Sequence, residues 1–376
     1  MRVLIFSVTA GEGHNSTAVA LQACLNERNI DCDVLDTYGY VNRMLRSTVA
    51  KGYLLSTKKA KRAYSGVYRM AEKRHYNANR MSPARLANTM IAKKIMQYIS
   101  ASKPDVIVFT HVFVGIVLDV LKKKGKIKVD TIGIVTDFTM HPYWEESLHI
   151  DFIVTANELL TMQARKKGFT DQQILPLGIP INPKFSMSVT PAQARETIGL
   201  DPDKPTLLIM SGSMGYGDIA RSIRNLDKID IDFQIISVCG NNQDAKMEID
   251  RLITNKKIVN YGFVNNIDLL MDAADCIITK PGGLTTSEAM AKRLPIIVVN
   301  PIPGQEERNA EFLVNNGVAM LTSPTFTLTE AVYQFFTNPR RIEVMRQSID
   351  LIRKPNSTTD VCEFIVERAQ TKRGLL

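Results

Sequence analysis

A chain of 376 residues is too long for one ordinary hydrophobic core and suits two domains of about 150–200 residues each. Its 45% hydrophobic and 23% charged content excludes a disordered chain. Five scattered cysteines with no C-x-x-C pair exclude a disulfide framework or a zinc site and fit a reducing cytoplasm.

The chain starts MRVLIFSVTAGEGH. Its apolar stretch is too short for a signal peptide and reads as a first strand, Val3–Val8. A loop bearing Gly11 and Gly13 follows, and a helix starts near His14. Backbone N–H groups at such a strand-to-helix turn suit an anion, although the same turn also serves without a ligand. His14 lies at the strand tip, where a neutral imidazole can take a proton from an alcohol.

The net charge of +9 belongs to the first part of the chain: residues 1–150 hold 22 Lys+Arg against 12 Asp+Glu, and the remainder 25 against 26. Residues 38–102 have helical spacing and read as an inserted helical segment. Within it, positions 43–74 hold ten Lys/Arg and one acid, Glu72, interleaved with Leu, Tyr and Met. Arg43, Arg46, Lys58, Lys59, Lys61 and Arg62 would meet anionic membrane lipids at about 1 kcal/mol each, with the apolar side chains entering the headgroup boundary. A solvated basic helix face is the plain alternative. A nucleic-acid patch lacks any recognised module, so no nucleic acid is expected.

Strands are predicted at Cys32–Leu35, Val106–Phe109, Thr131–Val135, Phe152–Thr155 and Ile174–Leu177. The longest candidate for a span, Val106 to Leu118, is only 13 residues and contains Thr110 and His111; a membrane helix needs about 20. The segment Thr136 to Trp144 ends a strand. There Asp137 and His141 could orient an acceptor hydroxyl, and Tyr143 and Trp144 offer a flat apolar surface; otherwise Asp137 caps the turn and the rings enter the core.

Gly178-Ile-Pro-Ile-Asn-Pro183 reads as a linker. A second series of strands follows at Thr206–Met210, Phe233–Val238, Ile258–Tyr261, Cys276–Thr279 and Ile296–Val299, and helices close the chain from about Thr327. The divisions expected are 1–180, 181–355 and a last helix, 356–376, returning toward the first domain. Both halves begin with strand, glycine loop and helix. Two such α/β domains would face one another across a cleft at the carboxyl ends of their sheets.

In the second half, Lys280-Pro-Gly-Gly-Leu-Thr-Thr-Ser-Glu-Ala289 lets backbone approach a phosphate at Gly282 and Gly283. Thr285 and Thr286 could donate at the helix start, and Glu288, on the first turn, could accept both vicinal hydroxyls of a ribose. Gln305 and Glu306 could each grip hydroxyl pairs of a hexose. The three D-x-D triplets (31–33, 201–203, 230–232) precede strands or sit in turns. No catalytic metal and no other cofactor is expected, and the phosphate charge would be met by backbone N–H groups and helix ends.

These motifs in this order resemble the glycolipid-forming branch of the inverting two-domain transferases: processive diacylglycerol β-glucosyltransferases and monogalactosyldiacylglycerol synthases, related to the peptidoglycan GlcNAc transferase. The marks are Ala10-Gly-Glu-Gly-His14, Thr136-Asp-Phe with His-Pro-Tyr-Trp144, Gly178-Ile-Pro, Ser211-Gly-Ser-Met-Gly215, the 280–289 motif and Ile302-Pro-Gly-Gln-Glu-Glu307. The resemblance implies a GT-B fold, an N-terminal acceptor domain holding Gly13, His141 and Trp144, and a C-terminal domain holding a UDP-sugar. Gly212, Ser213 and Gly215 with Gly282 to Thr286 would bind the diphosphate, Glu288 the ribose, Gln305 and Glu306 the hexose, and Phe263 and Val264 would flank the uracil. His14, aided by Asp137, would be the base. It further implies transfer of a hexose, foremost glucose, from the UDP-sugar to diacylglycerol or glycosyl-diacylglycerol at the cytoplasmic face of the cell membrane. A UDP-galactose enzyme, or a UDP-GlcNAc enzyme on a prenyl-linked precursor, are the near alternatives. A nicotinamide oxidoreductase (from Gly11, Gly13 and Asp36) and a non-catalytic binder built on the basic segment are the distant ones.

Overall fold

Runs of apolar residues too continuous for a half-exposed strand dominate the architecture, because parallel strands are covered on both faces. The computed structural model describes residues 1–9, 12–41, 83–210, 212 and 218–374. They divide into two compact units. One comprises Met1–Pro183, Ile302–Gln305 and Asn356–Leu376; the other comprises Lys184–Pro301 and Glu306–Pro355. The basic stretch with Arg43, Arg46, Lys58, Lys59, Lys61 and Arg62 lies outside the described residues, as do Gly11, Ser213 and Gly215.

In the first unit β1 (Arg2–Ser7), β2 (Asp31–Asp36), β3 (Val106–Phe109), β4 (Asp130–Ile134), β5 (Phe152–Val154) and β6 (Ile174–Leu175) form one parallel sheet in the order β2-β1-β3-β4-β5-β6. The alternation along β1 sorts its side chains. Leu4 and Phe6 face a layer with Ile107, Phe109 and Trp144, closed by Ile95 and Ile99 of helix Pro83–Ser102 and by Val117 and Leu118 of helix Val112–Lys123. Val3 and Ile5 face the other layer with Val108 and Ile132. Leu21 and Leu25 of helix Glu12–Glu27 and Val361, Cys362 and Ile365 of the last helix, Ser357–Lys372, close that layer. Arg368 Nε holds Asp130 at 2.6 Å and Arg373 holds Asp105 at 2.7 Å, fixing the last helix along the amino edge of the sheet. Asp31 and Asp33 lie inside β2 rather than before a strand, and Arg2 pairs with both.

The second unit has β7 (Thr206–Met210), β8 (Gln234–Val238), β9 (Ile258–Tyr261), β10 (Cys276–Thr279), β11 (Ile296–Val298) and β12 (Ala319–Leu321) in the order β12-β11-β10-β7-β8-β9, all parallel. This is the doubly wound order of a Rossmann sheet. The side on which successive strands are added reverses between β1 and β3 in the first unit and between β7 and β10 in the second. At such a switch point the loops leaving the carboxyl ends part, and ligands of these sheets bind there. Among the described residues no helix is long and apolar enough to cross a membrane.

Candidate active site

At the first switch point, helix Glu12–Glu27 begins earlier than its sequence suggests, so Gly13 and His14 belong to its first turn. The His14 Nδ1 atom lies 2.7 Å from the Thr110 carbonyl oxygen, at the end of β3, and 3.2 Å from Thr136 Oγ1, at the end of β4. A carbonyl only accepts, so Nδ1 carries the hydrogen and Nε2 is left with its lone pair. Burial pushes the imidazole down to about 4, partly opposed by the Thr110 bond. The group is therefore a neutral proton acceptor near pH 7. Asp137, next to Thr136, is half-buried.

His111 is a neighbour of His14 that sequence reasoning missed. Their ring centroids are 4.8 Å apart, edge to face. His111 Nδ1 accepts from the Phe113 backbone N–H at 3.3 Å and so caps helix Val112–Lys123. Burial, with the nearby His14 and His141 imidazoles, keeps it well below the usual histidine value. The available signal was its position, two residues past a buried apolar strand end. His141 caps the short turn Pro142–Glu146 in the same manner, accepting from Tyr143 N–H at 3.2 Å. Burial and Lys167 push it down to about 4.

Trp144 requires a correction. It is 3% exposed and packs on Phe109 at 5.9 Å, over Gly133, where an added Cβ would meet Phe109 at 2.8 Å and Trp144 at 3.1 Å. The turn at Pro142–Glu146 carries Trp144 inward, so it is a core residue and not an acceptor surface. Tyr143 remains half-buried.

At the second switch point, Gly212 has φ +68°, a left-handed conformation that glycine adopts without strain. Gly282 caps helix Gly283–Ala291, and nothing lies within 4 Å of the place a Cβ would take. A ligand phosphate could therefore come against the backbone there. Thr286 is a second correction. Its buried hydroxyl donates to the Gly282 carbonyl at 2.7 Å, inside the helix, and does not point at a ligand. Thr285 is half-buried. Glu288 is the sixth residue of the helix, in its second turn rather than its first. Burial raises its carboxyl to about 8, with Lys184 opposing and Asp268 adding to the rise.

Asn309 was also missed. It is fully buried, and its Nδ2 donates to the Pro281 carbonyl at 3.0 Å, which fixes the turn that carries Gly282. Lys280 stands 3.8 Å from Glu306. Gln305 Nε2 donates to Thr139 Oγ1 at 2.9 Å, both residues counting with the first unit. Phe263 is 60% exposed just past β9, with Val264 half-buried beside it. Among the described residues no group of three or more His, Cys, Asp and Glu is placed to hold a metal ion.

Residues 14–181 match the family described as monogalactosyldiacylglycerol (MGDG) synthase, and residues 206–357 match the glycosyltransferase family 28 C-terminal domain. A processive diacylglycerol beta-glucosyltransferase of Bacillus pumilus is 28% identical over 375 residues, covering 98% of this chain and 95% of that one. Its namesake in Bacillus licheniformis is 29% identical over 391 residues, covering 99% and 98%. Among solved structures, MurG of Acinetobacter baumannii superposes with a TM-score of 0.65 at 18% identity, covering 97% of this chain and 99% of that one. The likeness shows a GT-B type of fold.

Proposed function

We propose that this chain, which matches the monogalactosyldiacylglycerol synthase model over residues 14–181 and the glycosyltransferase family 28 C-terminal model over residues 206–357, moves a hexose, foremost glucose, from its UDP conjugate to diacylglycerol with inversion. The observation that carries the reading is the His14 imidazole, pinned through Nδ1 by Thr110 so that Nε2 is the proton acceptor.

In this mechanism Nε2 takes the proton of the acceptor hydroxyl. The acceptor oxygen attacks the anomeric carbon from the face opposite the diphosphate, the bond to the diphosphate oxygen breaks, and UDP leaves. The single displacement inverts the anomeric centre. Asp137 lends negative charge that favours the imidazolium as it forms, because an opposite charge nearby favours the charged state. The Gly212 turn and the Gly282-capped helix meet the diphosphate through backbone N–H groups, without a metal. Glu288 takes the ribose hydroxyls, Phe263 and Val264 flank the uracil, and Gln305 and Glu306 read the hexose. The basic residues at 43–62 hold the enzyme to anionic lipid at the cytoplasmic membrane face.

The test is incubation of the purified chain with radiolabelled UDP-glucose, UDP-galactose or UDP-GlcNAc and vesicles holding either diacylglycerol or a prenyl-linked acceptor, followed by lipid chromatography. His14→Ala should lower turnover about 10²–10⁴-fold with UDP affinity nearly unchanged. Near-normal turnover in that variant removes His14 from the role. Labelled lipid formed only from UDP-GlcNAc and a prenyl-linked acceptor replaces the reading with the nearest alternative.

A further inference from the structure

Five rings follow one another across the carboxyl edge of the first unit. From His14 the steps are 4.8 Å to His111, 5.2 Å to Phe113, 5.7 Å to Tyr143 and 5.4 Å to His141. Each step is close to the width of a hexose ring. Phe113 and Tyr143 are both half-buried, above a second aromatic layer, Phe109 and Trp144, that is buried outright. The same device sets each ring: Phe113 N–H donates to His111 Nδ1 and Tyr143 N–H to His141 Nδ1. The planes of Phe113 and Tyr143 are inclined by 52°, so these rings do not cover one another by stacking.

We infer that the Phe113–Tyr143 pair is a subsite for the apolar face of a sugar already attached to the acceptor lipid, which lets glycosyl-diacylglycerol as well as diacylglycerol present a hydroxyl to His14. The inference rests on the proposed function. A hexose has one face rich in C–H groups, and laying it on aromatic carbon removes apolar surface from water while the hydroxyls at its rim stay hydrogen-bonded. Diacylglycerol has no such face, so the pair discriminates between the two acceptors. The two glucosyltransferases named above are described as processive, which requires that one product re-enter as acceptor.

The experiment measures kcat/KM for diacylglycerol and for β-glucosyl-diacylglycerol, each dispersed in the same vesicles, with saturating UDP-glucose. The unaltered chain is compared with Phe113→Leu and Tyr143→Leu, which keep apolar volume and remove the ring. A circular-dichroism melting curve that matches the unaltered chain's certifies that each variant is folded in the unit that carries the substitution. The expected result is a loss for the glucosylated acceptor roughly tenfold greater than for diacylglycerol. Equal losses for both acceptors overturn the inference, as does an unaltered chain that uses diacylglycerol but refuses its glucoside; both leave the proposed function standing. Transfer to neither acceptor by the unaltered chain overturns the inference together with the function beneath it.

Discussion

The depressed imidazole at position 14 has a consequence for rate against pH. An ordinary histidine, near 6.5, is only about 9% neutral at pH 5.5. With burial holding His14 at about 4, it is about 97% neutral there. Turnover at saturating donor and acceptor should therefore stay level from pH 8 to about 5.5, where an ordinary histidine base would lose about tenfold. The donor term behaves differently, because Glu288 is raised to about 8. If its carboxylate form grips the ribose, kcat/KM for UDP-glucose falls by up to about tenfold per pH unit below 8. The assay is initial-rate transfer in a constant-ionic-strength buffer series, with donor varied at each pH. His14 and His141 both sit low in the folded chain. Their stability contribution is present above pH 6.5 and is lost as pH falls toward 4, so rates are taken no lower than pH 5. A kcat profile that halves between pH 6 and 7 would refute the reasoning, since the group in control would then be an unperturbed histidine.

Other outcomes follow from the same geometry. Glu288→Gln should weaken UDP binding about 10–100-fold and abolish the proton released on binding at pH 7, read by calorimetry in buffers of different ionisation enthalpy. The folded chain keeps the Glu288 proton that the unfolded chain sheds above 4.5, so the residue's contribution is fully present below that pH and is lost as pH rises through 8. The melting temperature of the unaltered chain relative to Glu288→Gln should therefore decline from pH 5 to 8.5. Gly282→Ala meets open space, so the melting temperature should hold within a few degrees while UDP affinity drops at least tenfold; unchanged affinity would take the diphosphate away from this turn. Arg195 is buried, bonded to the Ala273 and Pro202 carbonyls at 2.9 Å and to Asp275 at 2.8 Å. Its replacement by Ala should cost about 3–5 kcal/mol in denaturant unfolding, and a cost below 1 kcal/mol would contradict the buried pair. Trp144→Ala should destabilise by about 3–5 kcal/mol and act through the fold rather than through acceptor affinity.

The β-branched runs made most strands legible, because a parallel strand buried on both faces needs no alternation to be recognised. Ala319-Met-Leu321 escaped: three residues, one of them alanine, carry no strand signal of their own, and pairing with β11 decides their state. Gly282 and Glu288 stood out because glycine pairs and a carboxylate near a helix start have few other uses. Thr286 was misjudged because the sequence gives spacing along a helix but not the rotamer that turns a hydroxyl back onto its own carbonyls. Trp144 was misjudged for a related reason: which of two adjacent aromatics points inward depends on where the turn caps, and His141 sets that. The Thr110 and Thr136 contacts to His14 join residues 96 and 122 positions apart, distances at which a single sequence holds no record of proximity.

The last helix completes a layer that the first strand begins. Val3, Ile5, Val108 and Ile132 share their cover with Val361, Cys362 and Ile365, and Ser357 Oγ donates to the Ile179 carbonyl at 2.8 Å. During synthesis the amino-terminal unit thus waits with one flank partly open until residues 357–372 have left the ribosome, while the intervening unit can finish beforehand. Domains ordinarily mature in the order of their translation; here the first to be made is the last to close. A ribosome stalled short of residue 357 would leave this aliphatic sheet face covered by helix Glu12–Glu27 alone, with the rest for chaperones to guard. A fragment ending at the linker would inherit the same defect, whatever its solubility tag.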